Sequence, residues 1–135
     1  MTARNSILAD TCVWIAYFRT TSPLSEQLKK LIQEERVVTT GAVILELLQG
    51  AKTSKTKELI KETLLALPVL ETTLDDWVLA GDLGQVLRLK GLTIPATDLL
   101  LAAVAKSNAC AIFTTDSHFS FVPNLDLYSV PQATV

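Results

Sequence analysis

Four carboxylates stand where the surrounding residues are strongly apolar. Asp10 ends the run Ile7-Leu8-Ala9, Glu46 interrupts Ala42–Leu48, Asp98 opens Leu99–Ala105, and Asp116 follows Ala109–Phe113. Each acid taken alone has an ordinary use. Asp10 can cap a helix, Asp98 can sit favourably in a helix first turn, and Asp116 in Thr-Thr-Asp-Ser suits a turn. Glu46 is harder to place, because a buried unpaired carboxylate costs several kcal/mol. Brought together, four such groups would repel and raise one another's pKa unless a cation intervened. With no Cys/His ligand spacing to favour zinc, the donor set suits a hard divalent ion, Mg²⁺ or Mn²⁺.

The elements that must position these acids follow from the hydrophobic pattern. Ile7–Ala9, Val37–Thr39 and Ala109–Thr114 read as buried strands. Leu67–Leu70 reads as an edge strand, since Pro68 cannot donate to a ladder, and Leu125–Tyr128 alternates as a last strand. Between them lie helical stretches. Thr11–Phe18 comes first, and then a helix capped by Ser22 with Pro23 at its start and Leu24, Leu28, Leu31 and Ile32 on one face. Thr40 or Gly41 opens the next, Ala42–Gly50. Lys52–Leu65 is amphipathic, with Leu59, Ile60, Leu64 and Leu65 expected inward. A longer helix capped by Thr73 or Asp75 runs through Trp77 and Leu83 to Gly91 as its C′ residue, and Leu99–Ala105 should be packed on most sides.

Strands alternating with helices predict an α/β protein, a three-layer α/β/α sandwich around a parallel sheet of about five strands. With right-handed crossovers, Asp10 and Asp116 emerge at the carboxyl edge of central strands, where ligands bind in open α/β sheets. Glu46 lies about a turn and a half into the helix leaving the second strand. Asp98 starts the helix that returns to the Ala109–Thr114 strand, so all four acids can face one cleft.

At 135 residues and 49% hydrophobic, the chain predicts one domain spanning residues 1–135. The formal charge of −2 provides no global positive field for a polyanion, which must be met by a local patch or by metal ions. Lys52, Lys55, Lys57 and Lys61, with Arg19, are the candidates for that patch, the alternative being a solvated helix face. No apolar run approaches the roughly 20 residues of a membrane span, and the start of the chain shows no signal-peptide pattern, so a cytoplasmic location is expected. Cys12 and Cys110 are expected to be small core hydrophobes at opposite strand ends, too far apart to form a disulfide.

Four segments taken in order carry a resemblance: Ile7-Leu8-Ala9-Asp10-Thr11, Ile44-Leu45-Glu46-Leu47-Leu48, Ala96-Thr97-Asp98-Leu99-Leu100-Leu101 and Phe113-Thr114-Thr115-Asp116. Together they resemble a PIN-domain ribonuclease, and in length the chain resembles the VapC-type toxins of toxin–antitoxin modules. The resemblance implies a PIN-like fold and Mg²⁺- or Mn²⁺-dependent hydrolysis of RNA phosphodiesters by an activated water. It maps the acidic quartet, as catalytic and metal-holding residues, to Asp10, Glu46, Asp98 and Asp116. The accompanying hydroxyl maps to Thr114 or Thr115, with Ser117 and His118 on the ground just beyond and His118 expected to cap a loop rather than bind metal. It further implies a homodimer and a small cognate antitoxin reaching across the cleft.

Rival readings are weaker. A haloacid-dehalogenase-type phosphatase would want an aspartate where Cys12 stands, a receiver domain would want adjacent acids after the first strand, and no glycine-rich phosphate loop occurs. The alternative from another class is a catalytically silent PIN-fold module that binds RNA or protein.

Overall fold

Short β-branched and aliphatic segments form strands here because burial on both faces compensates for their brevity. The computed structural model describes residues 5–130. The expectation of a leaderless start at Met1–Arg4, and the two outermost ends of the 1–135 domain, lie outside the described residues. The four strands are β1 (Ile7–Ala9), β2 (Val37–Thr40), β3 (Val69–Leu70) and β4 (Ala111–Phe113), in the order β3-β2-β1-β4. All pairs are parallel, with Leu8 between Val38 and Ile112, and Thr39 opposite Val69. The segment read as a fifth strand contributes a single parallel bridge, Ile112 to Leu127. Tyr128 N–H donates to Ile112 and Ile112 N–H to Asp126, so the ladder makes one rung and stops. Leu127 faces solvent, and the segment is held by Leu125 and Tyr128 packing against the core rather than by a longer ladder.

Among the described residues six helices flank the sheet: α1 (Thr11–Arg19), α2 (Pro23–Gln33), α3 (Gly41–Gly50), α4 (Ser54–Leu64), α5 (Leu74–Leu89) and α6 (Ala96–Ser107). Three starts follow expected caps, while α4 is capped by Thr53 and α6 begins after Pro95 with no side-chain cap. Ser22 and Thr73 form capping boxes with Ser25 and Asp76, and Thr40 caps α3. At the end of α5, Gly91 takes a φ of 82° and its N–H donates to Arg88, while Leu92 N–H donates to Leu87. That pair of bonds closes the helix carbonyls in the Schellman pattern. Ala109 ends α6 in the same way at a φ of 54°, without glycine's freedom.

Trp14, Leu8, Leu28, Ile112 and Phe113 sit at the centre of the core, and α6 is buried from Leu101 to Ala105. The inward face of α4 is narrower than its sequence implies. Ile60 and Leu64 are buried one helical turn apart, but Leu59 is 47% and Leu65 63% exposed. Each is rotated about 100° from its buried neighbour, and Leu65 is already past the helix as its C-cap. At the α5–α6 crossing, a Cβ on Gly84 would meet Leu99 Cδ1 at 2.9 Å, so the glycine lets the helix carrying Asp98 approach closely.

Candidate active site

Three strand ends and two helix starts meet at the carboxyl edge of the sheet. Asp10 leaves β1 as the N-cap of α1: Thr11 N–H donates to Oδ1 at 2.7 Å, and Asp10 N–H is tied to Phe113 O across the sheet. Its side chain is 7% exposed and its other oxygen is also occupied. The Thr114 hydroxyl donates to Oδ2 at 2.8 Å and itself accepts the Asp116 N–H at 3.0 Å. Of the two threonines, Thr114 therefore ties the first acid to the last. Thr115 is exposed, and its hydroxyl donates to Cys12 Sγ instead.

Asp116 caps the 3₁₀ turn Ser117–Phe121, accepting the His118 N–H, with His118 Nδ1 at 3.0 Å from the same oxygen. Through these contacts His118 steadies the loop that carries Asp116. The Ser117 side chain is exposed, and its carbonyl accepts from Ser120.

Glu46 lies half-buried on α3 and Asp98 half-buried in the first turn of α6. Burial raises the Glu46 pKa, and the charge of Asp10 raises it further. The Thr11 hydroxyl makes no hydrogen bond of ordinary length, yet it is near enough to Glu46 to offset part of that rise. Asp98 is pushed up to about 6, first by burial and then by the charges of Asp10, Asp116 and Glu46, with His118 opposing. One carboxyl that feels the other three marks a shared cleft.

The donor set is oxygen-rich and hard, which fits Mg²⁺ or Mn²⁺. Among the described residues, however, no three His, Cys, Asp or Glu side chains close up far enough to hold an ion by themselves. A hydrated Mg²⁺ does not need them to, since it keeps several waters and takes one or two carboxylates plus substrate phosphate.

Two depressions flank the acids. One, of about 430 Å³, is lined by Ile15, Phe18, Arg19, Glu46, Leu47 and Lys52. The other, of about 370 Å³, borders Asp116 and includes Thr115, Ser117 and Tyr128. Of the basic residues singled out in the sequence, Arg19 and Lys52 line the first. Lys61 instead pairs with Glu58 at 3.7 Å, while Lys55 and Lys57 are exposed on α4.

Sequence reasoning missed Cys12. Both cysteines are free and Cys110 is buried as expected, but Cys12 is half-buried, and its thiol donates to Asp10 Oδ2 at 3.3 Å. The available signal was its place two residues after Asp10, in the first turn of α1, where a short polar side chain can fold back on the cap.

The PIN domain family model matches residues 7–125. The chain is a PIN-domain protein. Among curated relatives, the PIN domain here is 27% identical over 124 residues to VapC ribonuclease Mb1587 of Mycobacterium bovis, covering 88% of this chain and 92% of that one. Ribonuclease VapC11 of Mycobacterium tuberculosis matches equally well over the same shares. Among solved structures, the PIN fold aligns with VapBC2 from Rickettsia felis bound to promoter DNA, at a TM-score of 0.78 and 22% identity over 90% of this chain and 96% of that one. It also aligns with VapC20 of Mycobacterium tuberculosis, a Sarcin-Ricin loop cleaving toxin, at 0.69 and 19% over 90% and 98%.

Proposed function

We propose that this PIN-domain protein is a metal-dependent endoribonuclease and the toxin of a toxin–antitoxin pair. The observation that carries the proposal is the gathering of the four acids at one sheet edge: Thr114 ties Asp10 to Asp116, and the Asp98 carboxyl is raised by burial and by the charges of Asp10, Asp116 and Glu46. Four acids whose charges oppose one another have a use when a cation and a phosphate share the cleft. The names of the two curated relatives, both ribonucleases, support the same chemistry.

In this mechanism Asp10, Asp98 and Asp116 hold Mg²⁺ or Mn²⁺, and Glu46 either joins them or orients the attacking water. When bound, the ion supplies a Lewis acid that makes hydroxide available near neutral pH and offsets charge growing on the phosphate. Thr114 keeps Asp10 and Asp116 in register with each other. Arg19 and Lys52 contact backbone phosphates beside Glu46.

Two partners and a location belong to the proposal. The groove between α1 and α3 combines apolar walls with Glu46 at its edge, which suits a short antitoxin segment placing a basic side chain against the acids. Leu74, Trp77, Val78 and Leu89 leave an exposed apolar face on α5 that suits a second copy of the chain. Among the described residues no helix is long and apolar enough to cross a membrane, and the cytoplasm is the proposed site of action.

One observation favours the silent RNA- or protein-binding module: among the described residues no three His, Cys, Asp or Glu side chains enclose an ion as they stand. Cleavage of total RNA with Mg²⁺ or Mn²⁺, with chelator and with Asp10→Asn and Asp98→Asn, separates the two. Metal-dependent cutting lost in both variants supports the nuclease. Retained cutting in both would sink the mechanism, and RNA binding without cutting would favour the module.

A further inference from the structure

The Cys12 thiol is built into the support of Asp10, the most buried of the four clustered acids. Asp10 has about four acceptor positions on its carboxylate. Thr11 N–H takes one on Oδ1, while the Thr114 hydroxyl and the Cys12 thiol both donate to Oδ2, at 2.8 and 3.3 Å. Oδ2 is therefore saturated, and one acceptor position, on Oδ1, is left unspent. The thiol has a single proton and two acceptors in reach, Asp10 Oδ2 at 3.3 Å and the Thr114 hydroxyl oxygen at 3.5 Å, of which the carboxylate is both nearer and charged. Thr115 Oγ1 donates to Cys12 Sγ at 3.3 Å from the other side, so sulfur accepts there and its own proton is left for Asp10.

We propose that Cys12 is a positioning residue for Asp10: with Thr115 behind it, the thiol locks Oδ2 so that the carboxylate offers a divalent cation one oxygen, Oδ1, in a fixed orientation. The inference rests on the metal-dependent reading above and adds a part that a core-filling cysteine would not play. The exposed Thr115 hydroxyl thereby acquires a role distinct from that of Thr114. Partners of this kind around metal ligands, when removed, typically weaken metal binding 10–100-fold. A thiol is a weak donor, so the lower end of that range is expected here. Serine at position 12 keeps a donor of the same connectivity, whereas alanine removes it.

The test is Mn²⁺ binding to the full chain without RNA, followed by the electron paramagnetic resonance signal of free Mn²⁺, with thermal unfolding in chelator measured on the same samples. Cys12→Ala is expected to weaken Mn²⁺ binding about 10-fold, and Cys12→Ser to stay within about threefold of the parent. Thr115→Val, at an exposed position where folding is not at stake, should weaken it about threefold, since it only frees the thiol to turn. If the parent binds Mn²⁺ and both Cys12→Ala and Thr115→Val bind within twofold of it, positioning by Cys12 is wrong while the metal site stands. Serine binding as poorly as alanine would also overturn it, because shape rather than donation would then matter. If the parent binds no Mn²⁺, the metal-dependent reading falls and this inference with it.

Discussion

Replacing Asp98 by asparagine separates a repelled acid from a helix-start acid, because the two roles change stability in opposite directions. In the folded protein Asp98 titrates near 6, against an ordinary 3.8, through burial and the charges of Asp10, Asp116 and Glu46. A carboxyl raised on folding stabilises the fold most at pH below its unfolded value, and that contribution is lost as pH rises through 6. The full gap corresponds to ~3 kcal/mol of penalty above pH 7, and solvent screening at a half-buried site cuts this to about 1.5 kcal/mol. Against it stands the favourable interaction of a first-turn acid with the α6 dipole, ~0.5 kcal/mol. Asp98→Asn should therefore stabilise the metal-free protein by about 1 kcal/mol at pH 7.5, or about 3–5 °C in Tm.

Thermal unfolding in chelator from pH 4 to 8 checks this. The gain should be near zero at pH 4, where Asp98 is already neutral, and grow to its full size by pH 7. Added Mn²⁺ should reverse the order, raising the Tm of the parent protein by mass action and leaving the variant behind. A variant less stable than the parent at pH 7.5 in chelator, or a difference that ignores pH, would refute the repulsion and leave Asp98 as a helix-start acid.

Three further outcomes follow from the structure. Asp76 is buried, and although burial pushes its carboxyl up, hydrogen bonds from Ser107 and from the backbone and hydroxyl of Thr73 hold it below its ordinary range. Asp76→Ala should cost about 2–3 kcal/mol at neutral pH, and urea titrations should show the deficit shrinking as pH falls below about 4, where the parent loses the same contribution. Ala109→Gly should stabilise by about 1 kcal/mol, since Ala109 holds a φ of 54° that only glycine takes freely; a loss in denaturant midpoint would count against strain there. Arg19→Ala and Lys52→Ala should each raise the KM for RNA several-fold with kcat nearly unchanged, and each should flatten the salt dependence of binding by about one phosphate contact.

What could be read from the sequence divides along physical lines. Caps at Ser22, Thr40 and Thr73 were legible because each joins a side chain to a backbone only a few residues on, and Gly91 because a helix end at positive φ favours glycine. The parallel direction of the strands and the edge position of β3 were legible because strand–helix alternation and Pro68 constrain them, whereas β4, read as a central strand, ends the sheet but for the single bridge to Leu127. Leu59 and Leu65 were misread because a leucine at the margin of an amphipathic face is inward or outward according to what its neighbour element offers, which no local pattern encodes. The last segment was read as a strand because alternation alone does not say how many rungs the adjacent strand has left. The choice between Thr114 and Thr115 needed the pairing of β1 with β4, a crossing in sequence of about a hundred residues.

That same crossing explains why stability and site are hard to separate in this fold. Asp10 is at once the cap of α1, the partner of Thr114 and, through Thr114, the neighbour of Asp116. Its hydrogen bonds contribute to folding, whereas its charge works against Asp98 and Glu46. Asparagine at position 10 keeps one oxygen to accept from Thr11 at the cap, puts an NH2 where Oδ2 accepted from Thr114 and Cys12, and removes the charge, so Asp10→Asn is expected to fold at a cost of about 1–2 kcal/mol. If it were severely unstable, capping rather than charge would be the main role of the carboxylate. A folded variant that fails to bind Mn²⁺ would assign Asp10 to the metal, because nothing in its structural duties requires a negative charge.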